Sequence, residues 1–323
     1  MARMRYAEAI NAALRAELAA DPTVFLFGED IATYGGVFQV TKGLAAEFGT
    51  RVRDTPISEQ TLTGMAVTAA MTGTRPVLEI MFADFMPLTL DALINQASVY
   101  NYVWDDQVAI PMVLRTQGGG GAGTGAQHAK SLDSLVAHVP GLKVVAPVTP
   151  ADAYGLTQAA IRDDRPVVVL EHKLLYNRAG DVPDLPDPVE LGRARTVREG
   201  SDVSIFASSR MVLEAESAAG TLQSEGVSAE VIDLRSLRPL DLEAITGSVA
   251  KTHHAVVVNE DWGFCGIAAE LSATIMDFAF DDLDAPVERV ATLDMPIPYA
   301  QSLESEVIPD AGRIAQAARR ALA

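Results

Sequence analysis

DTPISEQTLTGMAVTAAMTGTRPVLEIMFADF, residues 54–85, is the stretch on which the fold turns. Arg51 to Ile57 reads as a short extended segment, because Pro56 keeps Thr55 out of the helical region. Gln60 to Gly73 is small and apolar almost all round (Met65, Ala66, Val67, Ala69, Ala70, Met71), the pattern of a helix buried on every side. A strand follows over Pro76–Ile80, then the aromatic pair Phe82 and Phe85. Glu59 thus falls where a strand ends and a helix begins, the usual place for a site in an open α/β sheet. Ser58 as an N-cap, with Glu59 at the positive helix end, accounts for the same residues without function. Against that, the flanks are too apolar to leave Glu59 in bulk water, and a buried carboxylate needs a partner.

Working outward, strand and helix alternate along the chain. Upstream lies a strand over Val24–Phe27, closed by Gly28, Glu29 and Asp30. Downstream, Pro87–Tyr102 predicts a helix, Ile110–Leu114 a strand, Leu142–Ala146 a strand, Pro150–Arg162 a helix and Pro166–Leu170 a strand. Continuous apolar strands separated by helices imply a parallel sheet covered on both faces. The span 177–192 is rich in proline and aspartate and reads as a linker. Alternation then resumes, with strands over Val203–Ala207, Ala229–Leu234, Ala255–Val258 and Val287–Ala291 and a last helix over Ala311–Leu322. The expected fold is α/β: two three-layer parallel-sheet domains, 1–176 and 193–323, joined by 177–192. A chain of 323 residues is long enough for two cores.

Composition removes several function classes. A single cysteine, Cys265, excludes a disulfide framework and a thiolate metal cluster, and fits a reducing, cytoplasmic setting. No uncharged apolar run approaches the roughly 20 residues of a membrane span. A net charge of −18 argues against nucleic acid or an anionic membrane as partner and suits a basic protein. The run GGGGAGTG, 118–125, formally contains G-x-G-x-x-G, but neither a helix nor a correctly spaced acidic residue follows. The glycines are better read as letting backbone approach a ligand and carrying His128 toward it. No H-x-x-x-H, paired-cysteine or G-x-S-x-G pattern is present.

Several motifs lie in one order: FLFGEDIATYGGVFQVTKGL (25–44), DTPISE (54–59), GAQHAKSLDS (125–134), HVPGLKVVAPVTPADAYGL (138–156), LRSLRPLDLEAI (234–245) and MPIPYAQSLE (295–304). Together they resemble the beta subunit of the thiamine-diphosphate-dependent 2-oxo acid dehydrogenases, the family of pyruvate, branched-chain and acetoin enzymes. The resemblance implies a transketolase-like pyrimidine-binding domain, then a transketolase-type C-terminal domain for subunit association and acyltransferase docking. The implied assembly is a heterotetramer of two alpha and two beta chains, cytoplasmic or, in a eukaryote, in the mitochondrial matrix.

By the same resemblance, Glu59 hydrogen-bonds the aminopyrimidine of thiamine diphosphate and activates the thiazolium, Phe85 packs on that ring and Ile57 lines its pocket. His128 corresponds to the active-site histidine that meets the substrate carboxylate or acyl group. Ala129 and Lys130 depart here from the commoner H-S-Q-S pattern. A potassium site would involve Met112, Ala160, Ile161, Asp163 and Arg165. Diphosphate and Mg2+ are held in the family by a G-D-G motif of the alpha subunit, and this sequence contains none. The implied activity is decarboxylation of pyruvate or a branched-chain 2-oxo acid, with acyl transfer to the lipoyl domain of a dihydrolipoyl acyltransferase core. The subunit-binding domain of that core is a further implied partner. An acetoin dehydrogenase beta subunit and a noncatalytic scaffold are the alternatives. In the second domain, Arg235, Arg238, Glu260, Asp261, Asp281, Asp282 and Asp284 read as surface charge, together forming an acidic docking face.

Overall fold

The computed structural model describes residues 2–183 and 189–323, which divide into two compact units. The first comprises 1–118 and 135–191; the second comprises 119–134 and 192–323. The segment 119–134, placed by sequence inside the first domain, therefore belongs with the second. Of the expected linker, residues 184–188 lie outside the described ones.

The first unit contains β1 (Ala2–Arg5), β2 (Val24–Gly28), β3 (Val52–Asp54), β4 (Arg75–Ile80), β5 (Val113–Gly118), β6 (Lys143–Val145), β7 (Val167–His172) and β8 (Ala179–Val182). Its main sheet runs β6-β7-β5-β4-β2-β3, every pair parallel. β5 and β7 are buried along their whole length, as interior parallel strands are, although each carries a charged residue. The register pairs Gly28 with both Asp54 and Glu79. The residues that follow β2, β3 and β4 consequently emerge together at one carboxyl edge. β1 and β8 form a separate antiparallel pair, so part of the expected linker is strand.

Helix Pro150–Arg162 matches its sequence signature: Thr149 accepts from the Asp152 N–H, and Pro150 sits in the first turn. It lies against helix Tyr6–Ala20, whose Glu17 accepts from Gln158 at 2.8 Å and from Arg162 at 2.7 Å. Three expectations need correction. The helix predicted over Pro87–Tyr102 is broken into a 3-10 segment Ala83–Thr89, a short α turn, a π turn Leu93–Ala97 and a final turn Tyr100–Val103. Pro87, lacking an N–H, prevents a regular ladder there. The strand predicted from Ile110 begins only at Val113, past Pro111, for the same reason. Helix Glu59–Met71 buries Leu62, Thr63, Ala66, Val67 and Ala70 but leaves Met65 and Met71 exposed, so it is one-sided within this chain.

The second unit contains β9 (Arg195–Arg198), β10 (Val203–Ala207), β11 (Ala229–Asp233), β12 (Ser236–Arg238), β13 (Ala255–Trp262) and β14 (Glu288–Thr292). The order of its sheet is β14-β13-β10-β11-β9, parallel except for the edge strand β9. β10 and β11 are fully buried. Helices Leu242–Thr252 and Ala311–Ala321 are capped by Asp241 and Asp310, which accept from the N–H groups of Ala244 and Arg313.

Candidate functional site

At the carboxyl edge of the first sheet, Glu59 opens its helix and is 7% exposed. Ser58 occupies the N-cap position but makes no capping bond; its hydroxyl donates to Thr61 Oγ1. The Ser58 capping bond is therefore absent, while Glu59 does sit in the first turn of the helix. Glu29, after β2, is equally buried, and its Oε1 has no hydrogen-bond partner among the described residues. Burial, then the negative charges of Glu59 and Asp30, push the Glu29 carboxyl above the usual range. The backbone around Glu29 is held by Asp54, which accepts from the N–H groups of Ala32 (2.6 Å) and Thr33 (3.0 Å).

Aromatic side chains complete this corner. Phe85 lies edge-on to Phe82 at 6.4 Å, Phe82 edge-on to Phe38 at 6.3 Å, and Phe38 stacks on Tyr176 at 4.7 Å. Ile57, by contrast, is 79% exposed in this chain. Behind the aromatics, Arg115 donates to both Glu171 oxygens (2.7 and 2.9 Å) and to Glu79 (2.8 Å), and Tyr176 donates to Glu171 at 2.6 Å. Burial raises the Glu79 carboxyl against the pull of Arg115. Sequence reading missed both Glu29 and this cluster. The available signal was a charged residue interrupting each apolar strand: VLEI, VLRT and VVVLEH.

His128, half-buried, lies in the second unit, whereas Glu59 lies in the first. Its N–H donates to Gly125 O (3.2 Å), and its carbonyl accepts from Thr124 Oγ1 (2.7 Å). The loop's glycines do more than permit close approach: Gly119, Gly121, Gly123 and Gly125 all have positive φ. The amides so presented are met by carboxylates of the same unit. Gly120 N donates to Glu260 Oε1 at 2.6 Å, and Gly121 N and Gly123 N donate to Glu304 at 2.8 and 2.9 Å. Ser134 N donates to Asp261 at 3.1 Å. Glu260 and Asp261 are therefore not surface charge: both are buried at the end of β13, where the loop's amides repay their desolvation. Asp133 faces Asp261, and burial first, then that second carboxylate, pushes its carboxyl up to about 7.

The residues expected around potassium gather between helix Pro150–Arg162 and β7. Met112 O accepts from Val167 N, and Arg75 Nη1 donates to Ile161 O (3.1 Å) and Asp163 O (3.0 Å). The Asp163 carboxylate accepts from Arg165 N and Lys143 Nζ. Each carbonyl keeps a second lone pair, so this donor set fits a large monovalent cation only beside the guanidinium. Ala160 is buried in the helix. Arg165 turns its side chain to Asp106 at 2.5 Å. Among the described residues, no group of three or more His, Cys, Asp or Glu side chains is disposed to hold a metal, and no helix is long and apolar enough to cross a membrane.

Two family models match the chain: the transketolase pyrimidine-binding domain over residues 2–178 and the transketolase C-terminal domain over 192–314. A pyruvate dehydrogenase E1 component subunit beta-2, mitochondrial, from Oryza sativa subsp. japonica is 46% identical across 98% of this chain and 86% of its own length. The pyruvate dehydrogenase E1 component subunit beta of Rickettsia conorii is 42% identical across 97% of this chain and 96% of its own. The acetoin:2,6-dichlorophenolindophenol oxidoreductase subunit beta of Cupriavidus necator is 43% identical over the same shares. A solved split-gene transketolase, described as an inactive beta4 tetramer, superposes with TM-score 0.81 and 23% identity, covering 99% of this chain and 98% of its own. The corner built from Glu59, Glu29 and Phe85 falls within the matched pyrimidine-binding domain, and the chain belongs to the transketolase-like family of pyruvate dehydrogenase E1 and acetoin oxidoreductase beta subunits.

Proposed function

We propose that this chain holds the aminopyrimidine half of thiamine diphosphate and serves as the beta component of a decarboxylating 2-oxo acid dehydrogenase. The observation that supports this reading is the burial of Glu59 and Glu29 at one sheet edge, with a Glu29 oxygen that has no partner among the described residues, in the unit that also carries the Phe82–Phe85 aromatic contact. Those residues fit the polar edge and the apolar face of a pyrimidine. When bound, thiamine diphosphate supplies a sink for the electrons released as carbon dioxide leaves. In this reading Glu59 would hold a proton at the pyrimidine ring nitrogen, Glu29 would add a second carboxyl at that polar edge, and Phe85 would pack against the ring. Ile57, exposed in the single chain, is the further apolar contact toward the cofactor. His128 orients the substrate carboxylate or the acyl group through its imidazole.

In this reading the diphosphate and Mg2+ belong to an alpha chain in a two-alpha, two-beta assembly, which the lack of a G-D-G motif in this sequence supports. Acyl transfer then goes to the lipoyl domain of an acyltransferase core, with the compartment cytoplasmic or, in a eukaryote, the mitochondrial matrix. Potassium would share Ile161 O and Asp163 O with Arg75, and stabilisation by KCl over choline chloride at equal ionic strength is its test. The acetoin-cleaving reading uses the same residues and is favoured by the likeness to the Cupriavidus necator protein. Assembly with an alpha chain, assayed against pyruvate, branched-chain 2-oxo acids and acetoin, separates the readings. Pyruvate turnover is the expected result, and turnover of acetoin alone would replace the main reading. An assembly that binds thiamine diphosphate yet turns over none of these would leave a scaffold subunit.

A further inference from the structure

The glycine run before His128 is built to receive carboxylates, and the protein provides them from within. Glu304 is fully buried on helix Gln301–Val307, so its charge depends on donors in its surroundings. It finds them in two loop amides, Oε1 taking Gly121 N (2.8 Å) and Oε2 taking Gly123 N (2.9 Å). Both glycines have positive φ, 88° and 66°, the conformation in which nearby backbone amides form an anion-binding nest. At Gly120 a Cβ would lie 2.3 Å from Ile308 Cδ1, so a side chain there would displace the tip of Ile308.

Glu260 works at the base of the same loop. Its Oε1 accepts from Gly120 N (2.6 Å) and Ser131 Oγ (3.3 Å), while Arg210 faces Oε2 at 3.3 Å. A backbone bond, Gly119 N to Lys130 O at 3.1 Å, closes the neck. His128 lies between the two tied ends.

We propose that Glu304 and Glu260 are positioning residues that shape the His128 loop, Glu304 by filling the Gly121–Gly123 nest and Glu260 by joining Gly120 to Ser131. Neither touches the reacting atoms; each acts through the backbone that carries the imidazole. The functional consequence rests on the reading of His128 as a substrate- or acyl-handling residue, but the structural claim does not.

The test is Glu304→Gln in the full chain and in the assembled alpha–beta enzyme. The amide side chain turns an NH2 toward a backbone N–H that needs an acceptor, so one tie is lost. Hydrogen exchange across residues 119–131 should accelerate roughly tenfold or more, as expected for a buried donor left without its acceptor. In the assembly, kcat for acylation of a lipoyl domain should fall by about 10- to 100-fold, with thiazolium proton exchange held within about twofold. Unchanged hydrogen exchange over 119–131 overturns the proposal, as does an equal loss of thiazolium exchange and acyl transfer. Should Glu304→Gln not assemble, Glu260→Gln and Ser131→Ala carry the same exchange test at the loop's base. His128→Ala is run in parallel. If it leaves acyl transfer intact, the His128 reading fails, while the exchange data still decide what Glu304 and Glu260 do.

Discussion

Glu59 and Glu29 are two carboxylates withdrawn from solvent in the first unit. Each follows a strand at the same sheet edge, each is 7% exposed, and one oxygen of the pair has no partner among the described residues. Glu59→Gln preserves shape and some hydrogen bonding but removes the titratable proton. Thiazolium proton exchange in the assembled enzyme should slow by roughly 100-fold or more, with circular dichroism unchanged; near-normal exchange would reduce Glu59 to a helix-end residue. Asp133 offers a second test, because it faces Asp261 and Glu260 while Asn259 donates to it. Its folded pKa, about 7, exceeds the ordinary 3.8, so between those values the folded state holds a proton that the unfolded state has lost. Its contribution to stability is therefore complete below the lower value and is lost as pH rises through the upper one. Relative to Asp133→Asn, the wild-type chain should lose stability between pH 5 and 8, by no more than about 1.4 kcal/mol per pH unit for one proton. Parallel urea midpoints for the two proteins across that range would refute the assignment.

Among the elements, β4, β5 and β7 carry the clearest tension between sequence and burial. Each carries a buried charge within a largely apolar stretch, and those charges meet as Glu79, Arg115 and Glu171. Arg115 is the common partner, at 2.7 and 2.8 Å from the two carboxylates. Removing it strands two buried acids, a change that costs about 3–5 kcal/mol where a buried pair is broken. Arg115→Met should therefore lower the thermal midpoint sharply, and adding Glu79→Gln and Glu171→Gln should recover part of the loss. Recovery is the telling result, since a simple packing defect would be deepened by further substitutions. Tyr176 donates to Glu171 and stacks on Phe38, which leads through Phe82 to Phe85. The ion cluster thus underpins the aromatic wall that the proposed pyrimidine would meet.

At the scale of the whole molecule, the proposed function gives the single chain only the pyrimidine half of the cofactor site. Titration calorimetry of the purified chain with thiamine diphosphate and magnesium should give weak binding, and the alpha–beta assembly strong binding. Tight magnesium-dependent binding by the chain alone would overturn the division. The net charge of −18 bears on the proposed docking to an acyltransferase. With Glu260 and Asp261 withdrawn into the interior, the acidic face contracts to Asp281, Asp282 and Asp284. That corner is fastened by His253, whose Nδ1 lies 2.8 Å from Asp282 O and whose carbonyl accepts from Asp284 N. Charge reversal at Asp281 and Asp282 should slow association with the subunit-binding domain and flatten its salt dependence. Binding indifferent to both changes would move the docking site elsewhere.

From sequence alone came the α/β class, most strand positions, the helix Pro150–Arg162 to the residue, and Glu59 as a carboxylate out of place. These features were legible because period, caps and proline act over a few neighbouring residues. The motif resemblance carried the family, since several spaced segments in one order constrain each other even where each is weak. Glu29, the Arg115 cluster and the true employment of the glycine run were not legible. Glu29 matters because β2 and β3 end in the same register, and Glu304 meets Gly121 across 183 residues of chain. The sequence likewise made Glu260 and Asp261 indistinguishable from surface acids. Desolvation and its compensation by distant amides depend on which segments the fold brings together, and only the tertiary structure decided that.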